Sequence, residues 1–286
     1  MNTKDTIDRR TVVGALATAS LGVLLEGAVP GLAAAQGRRV SGGGTPASTG
    51  KPFAPNSVVV MVHGAWADGS CWERVIVPLE QQGLKVICAP IPMTSLSDDI
   101  AVLGNVIERT AGPVVLVGHA YSGGVIGATH HDRVKALVYI SALAPAEGET
   151  VAQVFYKDQA PAERPKLAPD AQGFIWIPDG GFQRAVAHNA SPDVTAVLQA
   201  VQRPIAVKCI QEKSPPTAWP ATPTWYLIAE DDRMINPITQ RFMAARMQAR
   251  VQSFKVDHSS EVTAPSRVIA VIMEAARATL VQGART

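Results

Sequence analysis

The sequence predicts an α/β domain: a mainly parallel sheet with helices on both faces and a helical cap inserted late in the chain. Three observations lead there. Short runs rich in β-branched residues alternate with amphipathic segments of helical spacing. The alternation breaks over about 145–223, where prolines and aromatics surround short helical patterns. It then resumes for a last strand–helix–strand–helix round.

Each element follows from its own residues. "SVVVMVHG" at 57–64 is a β-branched run closed by glycine, the composition of a buried strand. "CWERVIVPLEQQG" at 71–83 sets Trp72, Val75, Ile76 and Leu79 at helical spacing and stops at Gly83. "LKVICAP" is a second strand. "SLSDDIAVLGNVIERTAG" at 95–112 opens with residues suited to cap a helix and carries Ile100, Leu103 and Ile107 on one face. "PVVLVGH" is a third strand, followed by a helix from about Ser122, and "VKALVYIS" at 134–141 is a fourth strand. Within the insertion, "SPDVTAVLQAVQ" at 191–202 is the clearest helix. "TWYLIAEDD" at 224–232 is a strand ending in acids. A helix over about 237–247, the strand "RVQSFKVDH" at 250–258 and an amphipathic helix over about 265–280 complete the body.

The N-terminus is a separate object. Lys4, Arg9 and Arg10 outweigh Asp5 and Asp8, an apolar run covers 11–29, and Ala33-Ala34-Ala35 supplies a small-residue cleavage site. Arg9-Arg10 followed by Val12 and Val13 resembles a twin-arginine export signal. A membrane anchor fits less well, because Glu26 cuts the run short of the roughly 20 residues a span needs. The organisation read from the sequence is a signal peptide at 1–35, a Gly/Ser/Thr/Pro-rich tether at 36–56 and the body at 57–286, with the cap at about 145–223. This implies a periplasmic or secreted protein. Twin-arginine cargo folds before export, so Cys71, Cys88 and Cys209 are read as structural thiols. The net charge of +2 and the lack of a basic run after the N-terminus argue against nucleic acid as a partner. A small molecule is the expected one.

In an open α/β sheet, ligands bind at the carboxyl ends of strands. Four segments stand at such ends: "HGAWADGSCW" from His63, "LVGHAYSGG" ending at Gly124, "AEDDRMINP" from Ala229, and "DHSSEVTAPSRVIAVI" from Asp257. Together they resemble the α/β-hydrolase superfamily, in the branch that includes plant methylesterases, hydroxynitrile lyases and bacterial esterases. The resemblance covers nearly all of 57–280 and has the order elbow, acid, histidine.

That resemblance implies roles. His258 matches the catalytic base, and Asp232 the acid that orients it, with Asp231 as rival. The oxyanion hole would use the backbone N–H of Tyr121 and one from Ala65 or Trp66. His63, Gly64 and His119 shape loops. Phe155, Tyr156, Phe174, Trp176 and Phe182 of the insertion are candidate pocket walls. The nucleophile position, however, holds Ala120, which cannot attack a carbonyl.

Four readings of Ala120 stand side by side. Ser122 substitutes, against its expected packing role under the helix. Water takes the place of the hydroxyl and His258 deprotonates it, or the same base runs lyase or isomerase chemistry. The pocket binds a ligand without turning it over. Ala120 is a substitution introduced to trap a substrate. The reading favoured by the retained base and anion site is an enzyme acting on a small, mostly apolar ester or related carbonyl compound. No metal ligand set or dinucleotide fingerprint stands in the sequence, so no cofactor is expected.

Overall fold

A computed structural model describes residues 51–283. The signal-peptide reading and most of the tether lie outside the described residues.

The chain runs β1 (Val58–Val62), a 3-10 turn (Gly69–Trp72), α1 (Glu73–Glu80), β2 (Lys85–Ala89), α2 (Leu96–Glu108), β3 (Val114–His119), α3 (Ser122–Gly127) and β4 (Val134–Ile140). The cap follows: α4 (Val151–Phe155), β5 (Phe174–Ile175), a π-helical turn (Phe182–Val186), α5 (Pro192–Val201), β6 (Ile205–Ala206) and α6 (Val207–Gln211). The body closes with β7 (Thr224–Ala229), α7 (Pro237–Arg246), β8 (Arg250–Phe254), α8 (Ser260–Thr263) and α9 (Pro265–Thr279).

Six strands form one parallel sheet in the order β2-β1-β3-β4-β7-β8. Parallel strands buried on both faces read as continuous apolar runs, and the register shows why. Val58, Val60, Val62, Val114 and Leu116 join one core, while Val59, Met61, Val115 and Val117 join the other. The first core lies under α2, α3 and the cap, and the second under α1 and α9. β1 has β2 on one side and β3 on the other. The chain therefore leaves β1 and β3 toward opposite faces, which opens a crevice at their carboxyl ends.

Helix starts follow the capping residues. Ser95 accepts from the Asp98 N–H at the head of α2. Thr150 and Gln153 form a reciprocal capping box at α4. Pro237 and Pro265 occupy the first turns of α7 and α9, where no intrahelical N–H is required.

The structure moves the tether boundary. The Ala54 N–H donates to Leu280 O at 2.6 Å, and the Gln282 N–H donates to Pro52 O at 3.1 Å. Phe53 bridges Val281, and the Arg277 guanidinium lies 4.7 Å from the Phe53 ring. The folded body therefore begins by Pro52. The tether's composition hid this, because the pairing uses backbone and a single aromatic. The strand expected to run to His258 ends at Phe254, and the two-stranded β5–β6 sheet was not foreseen.

Two glycines give opposite tests of packing. A Cβ on Gly123 would stand 2.2 Å from Leu143 O, whereas one on Gly104 in α2 would meet nothing within 4 Å. Gly123→Ala is expected to lower the thermal midpoint sharply or prevent folding. Gly104→Ala is expected to raise stability by about 0.5–1 kcal/mol through helix propensity, read by chemical denaturation.

Candidate active site

Ala120 follows the end of β3 with a φ of 48°. This left-handed conformation costs an alanine roughly 1–2 kcal/mol. Three hydrogen bonds hold it: the Ala120 N–H donates to Ile140 O at 3.2 Å, and Ala120 O accepts from the Leu143 N–H at 2.8 Å and the Gly123 N–H at 3.2 Å. Gly118 permits the sharp return, since a Cβ there would come 2.8 Å from Ser122 O. Helix α3 opens directly after the turn with no side-chain cap, and Tyr121, at its N-cap position, borders the crevice. Across the crevice, Trp66 in the loop after β1 is also left-handed, with a φ of 64°. Its indole N–H donates to Ile175 O at 2.9 Å and ties that loop to the cap.

His258 follows β8, buried, with Nδ1 2.9 Å from Asp232 Oδ2. Asp232 also accepts from the Met234 N–H at 2.7 Å, the Ile235 N–H at 2.9 Å and the Gln240 Nε2 at 2.8 Å. A carboxylate surrounded by donors is an acceptor, so His258 Nδ1 carries the proton and Nε2 carries the lone pair. Asp231 turns the other way, to His188 Nε2 at 3.1 Å near the surface. Both acids lie in the turn beyond β7, and Asp232 is the one that bonds to His258.

The pocket encloses a cavity of about 50 Å³ at the carboxyl edge of the sheet. Ala65, Trp66, Ala120, Tyr121 and His258 all line it. Phe155 and Tyr156 form part of its wall, with Ile175 and Leu167. Trp176 does not line it. Ile175 of β5 lines the pocket, while Trp176, just beyond the strand, is exposed and its indole donates to Asp170 Oδ2 at 3.0 Å. Phe174 and Phe182 also lie outside the pocket lining. Ser122 is corrected as a candidate nucleophile: its buried hydroxyl donates to His63 O, under the loop after β1. A side chain committed to that carbonyl does not reach the pocket.

The chain matches the α/β hydrolase family over residues 59–271. It belongs to that family. Among its relatives, the putative chloroplastic methylesterase 14 of Arabidopsis thaliana is 22% identical over 251 residues, 76% of this chain and 71% of that protein. A pyrethroid hydrolase of Sphingobium wenxiniae is 26% identical over 106 residues, which are 32% of this chain and only 38% of that protein. Among solved structures, a pyrethroid hydrolase from Sphingobium faniae has a TM-score of 0.66 at 21% identity, covering 78% of this chain and 98% of that one. Polyneuridine aldehyde esterase has a TM-score of 0.63 at 17% identity, covering 77% and 98%. At these identities the structural likeness concerns the fold.

This α/β hydrolase carries groups that the sequence did not single out. Gln240 of α7 donates to Asp232 and to Ile235 O at 2.9 Å, while its own carbonyl accepts the Ala229 N–H at 3.0 Å. It locks the acid's loop to the end of β7. Asp99 of α2 accepts from Tyr121 Oη at 2.6 Å and from the Met93 N–H at 2.8 Å. Tyr121 is thus moored by its side chain to α2. Neither Gln240 nor Asp99 has a sequence signal, because each is a polar residue on a helix whose burial is set by tertiary packing. Among the described residues, all three cysteines are free and no cluster suited to a metal occurs.

Burial raises the Asp99 carboxyl from 3.8 to about 6, against the opposing hydrogen bonds from Tyr121 and Met93. The folded state therefore holds this proton more tightly than the unfolded chain. The stability it confers is complete below pH 3.8 and is lost as pH rises through about 6. Asp99→Asn is expected to flatten the stability curve between those values relative to the parent, measured by denaturant titration across pH.

Proposed function

We propose that this protein hydrolyses a small, mostly apolar carboxylic ester, with water in the place usually taken by a serine hydroxyl. One observation carries the reading: the backbone at Ala120 keeps the strained left-handed turn of a nucleophile elbow, in the pocket lined by His258. An alanine gains nothing from that conformation by itself. Membership of the α/β hydrolase family and the esterase names of its relatives agree with this.

In this mechanism the ester carbonyl lies over Ala120, with its oxygen toward the Tyr121 N–H and that of Ala65 or Trp66. Those donors are main-chain groups and do not depend on a serine side chain. His258 Nε2 takes a proton from water as the water oxygen bonds to the carbonyl carbon. Asp232 holds the imidazole and stabilises its cationic form. When the tetrahedral centre collapses, the carbon–oxygen bond to the alcohol breaks and the same proton passes to the departing alkoxide. The products are a carboxylic acid and an alcohol. The apolar walls select an uncharged substrate, since an unpaired charge would be costly there.

The missing hydroxyl itself favours a second reading, in which the pocket binds an apolar ligand without turnover. Export through the twin-arginine route is proposed alongside, on the strength of Arg9-Arg10 and the apolar run after them.

An activated aryl ester separates these readings. Slow turnover is expected in the parent and should vanish in His258→Ala; equal rates in the two proteins overturn the catalytic reading. Ligand-induced thermal stabilisation without product supports the binding reading. Ala120→Ser is expected to raise the rate by about 10²–10⁴-fold, given the rates that survive removal of a triad member. Ser122→Ala is expected to leave the rate of either protein within about twofold, apart from its packing cost.

A further inference from the structure

Behind His258, on the side away from the substrate pocket, lies a second, smaller chamber. The two share Ala65, Trp66 and His258 as walls. The chamber is also lined by His119 and Glu261, and it has room for about one water molecule. Its outer wall consists of Cys71, Leu198 and Val262. These same residues form the floor of an open groove between α1 and α5. Only this layer of side chains separates the solvent-filled groove from the chamber beside the base.

The polar groups there are incompletely paired. His119 Nε2 lies 2.9 Å from His258 O, and a carbonyl only accepts, so Nε2 carries the ring proton and Nδ1 the lone pair. Nδ1 lies 3.3 Å from Glu261 Oε1 without hydrogen-bond alignment. Glu261 Oε2 also has no partner in the protein, although the residue is only 1% exposed. Burial pushes the His119 pKa well down and the Glu261 pKa well up, which favours the neutral form of each over an ion pair. Unpaired polar atoms in a closed space are costly unless something bonds to them.

We infer that this chamber is a hydration site, in which water bonds to Glu261 and His119, and that the α1–α5 groove supplies water to His258 separately from the substrate. The second half rests on the reading of His258 as a base that activates water. A separate supply answers a problem set by the apolar pocket. A bound ester fills the front of the site and closes it, whereas each hydrolysis consumes one water. Entry from the rear leaves the ester in place.

The experiment uses the full chain. A high-resolution crystal structure of the parent is expected to show water within hydrogen-bond distance of Glu261 Oε2 and His119 Nδ1, absent in Glu261→Leu. A dry chamber in the parent overturns the hydration site. The route is read by NMR on ¹⁵N-histidine-labelled protein, as exchange of the His119 ring N–H with solvent. Leu198→Trp, with Val262→Phe as a second plug in the same wall, is expected to slow that exchange about tenfold, because only local opening would then admit water. Unchanged exchange in both folded variants overturns the route. Neither measurement needs turnover. A wet chamber and slowed exchange in a protein that hydrolyses no ester would leave the site standing and remove the catalytic reading.

Discussion

The backbone of Ala120 is tied to a carbonyl at the end of β4 and to an N–H just beyond it, and the geometry of the site depends on that attachment. The Ile140 carbonyl and the Leu143 N–H hold the turn in a conformation that an alanine would leave if released. From this turn α3 takes its direction, and with it the orientation of the Tyr121 N–H. The side chain of the same tyrosine runs back to Asp99 on α2, so a second helix resists rotation of the first. The strain is small beside the two apolar cores that clamp β3 from either face. A conformation costing roughly 1–2 kcal/mol persists only where such packing over-determines it.

His258 stands at a boundary between two kinds of surroundings. In front is a pocket walled by aromatic and aliphatic side chains. Behind are an imidazole and a carboxyl, whose neutral forms burial favours. Removal from water explains both sides, since it favours apolar walls in front and uncharged forms behind. The charge partner of the base is therefore Asp232, held by Gln240 and by the N–H groups of Met234 and Ile235. An imidazole with one fixed acid and neutral neighbours has its orientation set by a single hydrogen bond.

Much of this could be read from the sequence, wherever a strand of regular period ended in an unusual residue. β1, β3 and β7 declare themselves by β-branched runs, and their ends place Ala65, Ala120 and Asp232 at one edge of the sheet. The place of Asp232 before Arg233 favours it over Asp231, and the N–H groups of Met234 and Ile235, which fix its carboxylate in the turn after β7, give the physical reason. The cap was less legible. Trp176 looks like a pocket wall by type, yet β5 has two residues, too few for a period to be visible, and it points outward. Asp99, Gln240 and Glu261 left no signal, because a polar residue on an amphipathic helix reads as solvent-facing until another element covers it. Phe53 went unread for a related reason: its partner, Val281, lies at the far end of the chain.

That pairing of Pro52–Ala54 with Leu280–Gln282 has a topological consequence. It brings the two ends of the folded body together just ahead of β1, at the amino edge of the sheet, while the pocket occupies the carboxyl edge. The order in which the elements are connected is then separable from the site they build. A short peptide joining residue 283 to residue 51 would make the body a closed ring. New ends opened in an exposed loop away from the crevice would give a circularly permuted chain with the same pocket.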